Sequence, residues 1–246
     1  MTVFLDRPRL SLQQCYDTVK DLVTSTDSLE VIEEVEKYRK LWRPETVKVV
    51  LLAESHVHTT KEDSLEWSFG RNPTYGGRLV RFVYCLGYGE NLVKISSNPG
   101  TSQFLKILYG CVNQVSDKME FAPILKSMTR DRDQRLRNKI ELLMKLKNAG
   151  IWLVDASIIG INEEAADVRK RVLLGSWDTY TGHLRGELRP KQIIVVGIGV
   201  EKTLRHRLIE LAIPYHPIPQ PQGWRKLGYN RFYRECFELC SKCVET

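Results

Sequence analysis

Apolar residues along the chain fall into a few short solid runs separated by stretches of helical spacing. Over residues 11–41, Leu12, Tyr16, Val19, Leu22 and Val23, then Leu29, Ile32, Val35, Tyr38 and Leu41, recur every three or four positions. That spacing predicts two N-terminal helices, with Thr26 and Asp27 as the break and cap between them. The run Val47–Ala53 is apolar and β-branched almost throughout, the pattern of a strand buried on both faces of a parallel sheet. A loop rich in Gly, Asn, Pro and aromatics follows over 61–77, and residues 78–86 read as a short helix. Helical spacing returns over 102–115 and 126–149, and Gly150 stands where a helix-terminating glycine belongs.

The second solid run, Ile151–Ala156, predicts a second buried strand, and 163–179 a further helix. A third strand is expected over Gln192–Gly197, a helix over Glu201–Leu211, and a short last strand over Ile213–Tyr215. The last strand opens into the proline-rich stretch 217–223, and a C-terminal helix starts near Asn230. Strands alternating with helices of this length imply a mostly parallel four-stranded sheet covered on both faces, a three-layer α/β/α sandwich. With no repeat or long linker, residues 1–246 read as a single domain, with the 1–43 helices packed on it.

Composition narrows the picture. At 42% hydrophobic and 27% charged residues the chain has the balance of a folded globule. No apolar run approaches the ~20 residues of a membrane span, and the N-terminal stretch lacks the continuous apolar core of a secretion signal. The expectation is a cytoplasmic protein, nuclear in a eukaryote, monomeric and without a membrane partner. The six cysteines are too scattered for a disulfide framework, and Cys236, Cys240 and Cys243 share one helix face as buried thiols.

The net charge of +7 is unevenly placed. Between His183 and Arg234 there are ten Lys or Arg against three acids, and the remaining 27 bases and 27 acids cancel. A basic stretch interleaved with Tyr215, Trp224, Tyr229, Phe232 and Tyr233 suits a polyanion such as nucleic acid; the competing reading is a solvated basic surface.

In parallel sheets ligands bind beyond the carboxyl ends of the strands, so the chemistry is expected in the loops there. Glu54, Ser55, His56 and His58 follow the first strand, Asp155 closes the second, and His216 follows the last. Carboxylates and imidazoles converging on one edge could perform acid–base work. The same loop residues could equally cap the next helix. His56, His58 and Glu54 could also ligate a metal, but no further ligand has a matching spacing, so neither metal nor cofactor is expected. Gly197-Ile198-Gly199 has the look of a phosphate-binding turn, without the rest of the dinucleotide fingerprint.

The order of these segments resembles the uracil-DNA glycosylase superfamily. Ala53-Glu54-Ser55-His56-Val57-His58 stands where that family has a GQDPYH or GEAPG loop. Gly150–Ile158 stands at its GVLLLNTVLTV strand, and His216-Pro217-Ile218-Pro219-Gln220 at its HPSPLS loop. The likeness spans roughly 45–225, each motif being degenerate. It implies a glycosylase-like fold that binds single- or double-stranded DNA, with a damaged or deaminated base flipped out and its N-glycosidic bond hydrolysed. On that resemblance Glu54, His56 or His58 would position water, His216 would stabilise the departing base, and Phe69 would stack on it. Ser55 and Asp155 would line the base site, and Gln220, Gln222, Trp224 and Arg225 would press on the DNA. Ser55 stands where a catalytic acid or amide is usual, and Asp155 where asparagine reads uracil. An ionised aspartate only accepts hydrogen bonds and would repel uracil O4. A catalytically silent binding module of the same fold, for nucleic acid or protein, is the alternative. An enzyme acting on free nucleosides is a third.

Overall fold

The computed structural model describes residues 10–69, 75–90, 103–161, 164–183, 188–220 and 229–244. Four strands form the central sheet: β1 (Val49–Ala53), β4 (Ile151–Asp155), β5 (Gln192–Val196) and β6 (Tyr215–Ile218), in the order β4-β1-β5-β6. Every pairing in it is parallel, with Ala53 opposite Asp155, Leu52 opposite Val195, and Val195 opposite Pro217. Both β1 and β4 are buried along their whole length, which is why these segments carry no polar alternation. A small antiparallel pair, β2 (Glu66–Trp67) and β3 (Gly77–Arg78), lies within the expected 61–77 loop and its end.

Helices α3 (Gln103–Val112), α4 (Arg132–Ala149) and α7 (Tyr229–Val244) form one group, in which α3 packs on both α4 and α7, and α4 on β4. Helices α1 (Leu12–Val19), α5 (Ala166–Ser176) and α6 (Ile198–Glu210) form the other, with α6 against β5 and β6. The result is a three-layer α/β/α arrangement. Helix α2 (Leu29–Leu41) buries Val31, Val35 and Tyr38 in the main core. Among the described residues no helix is long and apolar enough to cross a membrane.

Local chemistry sets the boundaries. Asp131 caps α4 by accepting from the Asp133 and Gln134 amides, so the helix starts at Arg132 rather than at 126; a 3₁₀ segment, Lys118–Ile124, lies upstream. Gly150 ends α4 in the left-handed region at φ 77°, as its position implied. Helix α6 begins earlier than expected, directly after Gly197 at φ 114°. Helix α5 runs on into a π-helical turn, Trp177–Thr181.

Two expectations fail for identifiable reasons. Residues 78–86 form no helix: Arg78 ends β3, and bends and turns run from Arg81 onward. Leu79, Val80, Phe82, Tyr84, Cys85 and Leu86 are all buried, leaving no solvent face for a surface helix. The Trp42 indole donates to the Tyr84 carbonyl and the Lys139 ammonium to those of Leu86 and Tyr88, so the backbone of this segment finds partners outside itself. The last strand, in turn, is Tyr215–Ile218 rather than Ile213–Tyr215. The Ile193 amide donates to Pro214 O and the Gly197 amide to Ile218 O. Residues 214, 216 and 218 therefore face β5, and Pro217 falls where an amide would point away from the sheet. An edge strand tolerates proline there.

Candidate functional site

The carboxyl ends of β1 and β4 carry a buried network of charge. The Asp155 carboxylate receives the Arg39 guanidinium of α2 at 2.8 Å, and Arg39 also pairs with Glu36. Both Arg39 and Asp155 are almost fully enclosed. A carboxylate inside an apolar strand needs such a partner, since isolated burial of the charge would cost several kcal/mol. The His56 side chain is wholly buried between two acids, with Nε2 3.2 Å from Asp27 Oδ2 and Nδ1 3.9 Å from Asp155 Oδ2. Its Nδ1 has no hydrogen-bond partner among the described residues.

Asp27 is the hub. Its carboxylate accepts the Thr59 amide at 2.7 Å and the Gly160 amide at 2.6 Å, and stands 3.5 Å from His58 Nδ1. Burial pushes the Asp27 carboxyl up, but the charge and hydrogen bond of His56 and the two backbone amides outweigh it and hold it down to about 2. His58 meets Ser25 Oγ through Nε2 at 3.3 Å. Gly160 has no room for a side chain, because a Cβ would lie 2.5 Å from His58 Cα and N. The tip of the β1 loop is thus seated on the segment after β4 and on the link between α1 and α2.

Beside this network a cavity of about 60 Å³ opens, lined by Ser55, His56, Val57, Phe82, Tyr88, Phe104 and Asp155 among others. Phe82 stands edge-on to His56 with ring centroids 6.4 Å apart, and the Arg39 guanidinium lies 5.2 Å from the Phe82 centroid. The surface the cavity presents is chiefly apolar.

The residues singled out in the sequence do not all meet. Glu54 is near the site, and both of its oxygens accept from Arg169 at 2.6 Å. Ser55 Oγ accepts the Ile161 amide at 3.2 Å, a link between the loops after β1 and β4. Phe69 packs on the main core and is not among the residues lining the cavity; Phe82, Tyr88 and Phe104 are. His216 departs furthest. It lies within β6 rather than after it, two rows below the level of Asp155, and three strand spacings away, roughly 14 Å across the sheet. Its side chain is 49% exposed, 3.5 Å from Glu235 of α7. Gln220 lies against Gly197, where a Cβ would come 3.3 Å from its Cγ and Nε2. Gln222, Trp224 and Arg225 lie outside the described residues.

Asp27 and Arg39 are the groups that sequence reasoning missed. Asp27 was expected only to cap a helix, whereas Ser28 takes the N-cap position of α2. A signal for Arg39 did exist: it shares the face of α2 that carries Val31, Val35 and Tyr38, all buried, and Asp155 required a cation. Among the described residues no group of His, Cys, Asp or Glu could hold a metal ion.

The fold and site thus define an α/β/α protein with an aromatic slot and a buried ionic network at the carboxyl end of its sheet. Comparison with protein-family models, with curated proteins and with solved structures finds no match to this chain.

Proposed function

We propose that this protein binds nucleic acid as a catalytically silent, glycosylase-like module, stacking one unpaired base on the aromatic mouth of the slot beside β1 and β4, whose cavity of about 60 Å³ is too small to enclose a base, and leaving its N-glycosidic bond intact. The observation that carries this reading is that the groups nominated for hydrolysis are committed elsewhere. Glu54 is held by Arg169, His56 by Asp27, and His58 lies 3.5 Å from Asp27 and 3.3 Å from Ser25, while His216 lies 3.5 Å from Glu235 at the far side of the sheet; Asp155, expected to line the base site, is held by Arg39. A water-activating carboxylate and a leaving-group donor must both reach the reacting atoms; of the groups lining the slot, Asp155 is neutralised by Arg39 and His56 faces Asp27. The excess positive charge supports a polyanionic partner. The slot walls of Phe82, Tyr88 and Phe104 offer stacking surface, worth about 1–3 kcal/mol per base.

The test is a panel of labelled single- and double-stranded oligonucleotides carrying uracil, hypoxanthine, xanthine, oxidised or alkylated bases, scored for binding and for abasic sites. Binding without abasic sites is expected, with Tyr88→Ala or Phe104→Ala weakening it roughly tenfold. Absence of binding at low salt overturns the reading. So do abasic sites that disappear in His56→Ala or His216→Ala.

A further inference from the structure

Helix α3 packs on both α4 and α7. At its carboxyl end, Val112, a second cavity opens, of about 410 Å³, a size within the range of small-molecule sites. Val112 forms one wall, Ala149 in the last turn of α4 a second and Phe237 of α7 a third, with Ile151, the first residue of β4, on the sheet side. The surface they present is chiefly apolar. Ile151 and Asp155 stand at opposite ends of β4, four residues or roughly 13 Å apart, so this cavity is distinct from the slot.

Two polar side chains border it. Lys145 and Asn148 are three residues apart on α4, which puts them on one face of that helix, and both are exposed. Among the described residues no hydrogen bond or ion pair engages either side chain. The other polar groups of the wall are already occupied: the Ser241 hydroxyl donates to Glu238 O at 3.3 Å, and the Cys111 thiol is hydrogen-bonded with that of Cys240. An apolar hollow bordered by one cation and one amide calls for a ligand with an apolar body and a single anionic head. The carboxyl ends of α3 and α4 each carry about half a negative charge. They keep such a head out of the depth of the cavity and leave it at the exposed rim, on the side of Lys145 and Asn148. An organic cation would suit the helix ends but meet the Lys145 ammonium.

We propose that this cavity binds a small apolar carboxylate of the medium-chain fatty acid type, its chain against Val112, Ala149, Ile151 and Phe237 and its head at Lys145 and Asn148. The proposal is independent of the nucleic-acid reading, since it uses a different cavity and a different chemistry.

The experiment is calorimetric titration of the full chain with hexanoate, heptanoate and octanoate. Each added methylene should tighten binding up to about fourfold, as burial of a CH₂ group does. Lys145→Gln, at an exposed position, should weaken octanoate binding about threefold and Lys145→Glu about tenfold. Lys170→Gln on α5, in the other helix layer, should leave it unchanged. Octanol and octylammonium should both bind more weakly than octanoate. Absence of octanoate binding at millimolar concentration overturns the proposal. Equal affinity for the three chain lengths overturns it too, because the chain would then lie outside the cavity. Octanoate affinity unmoved by Lys145→Glu, or octylammonium binding more tightly than octanoate, overturns the choice of an anion held at this rim.

Discussion

Replacing Asp27 by asparagine removes one charge from the buried hub with almost no change in shape. The folded carboxyl is held at about 2 against an ordinary 3.8. At about 1.4 kcal/mol for each tenfold change in acidity, the ionised form contributes about 2 kcal/mol to folding. Since the folded value is depressed, that contribution is fully present above about pH 4 and is lost as the pH falls through about 2. The amide side chain of the variant retains one acceptor oxygen for the two backbone amides of Thr59 and Gly160, and puts hydrogens where an acceptor stood. The total cost at neutral pH should be about 3 kcal/mol. Urea unfolding of wild type and Asp27→Asn from pH 7 to pH 2 measures both quantities. The gap between the two proteins should be near 3 kcal/mol at neutral pH and narrow by about 2 kcal/mol at the acid end. A variant as stable as wild type, or a gap that stays constant with pH, would refute the placement of Asp27 as an ionised hub.

Arg39→Ala leaves Asp155 and Glu36 buried without their cation; unfolding measurements should show a loss of about 3–5 kcal/mol, whereas an effect below about 1 kcal/mol would mean that the pair is not enclosed. Gly150→Ala forces a side chain into φ 77° with its Cβ 2.9 Å from the Thr46 carbonyl oxygen, and should destabilise by about 2 kcal/mol in the same assay.

The apolar runs at β1, β4 and β5 and the glycine after α4 were legible because each is fixed by near neighbours: solid runs make buried parallel strands, and a left-handed terminus selects glycine. The end of β6 was not, because Pro217 reads as a strand breaker until the strand is known to lie at the sheet edge with that position facing outward. That shift of the strand moved His216 from a loop into the sheet and away from the slot. The ionic network was half legible, Asp155 demanding a cation whose identity depends on a contact across 116 residues.

The account turns on whether bound nucleic acid keeps its bases. The direct measurement is the yield of abasic sites from an oligonucleotide panel incubated at saturating protein, with occupancy confirmed by anisotropy in the same tubes. Full occupancy with no abasic sites above the protein-free control is the expected result; base release that rises with occupancy and is abolished by His56→Ala would contradict it.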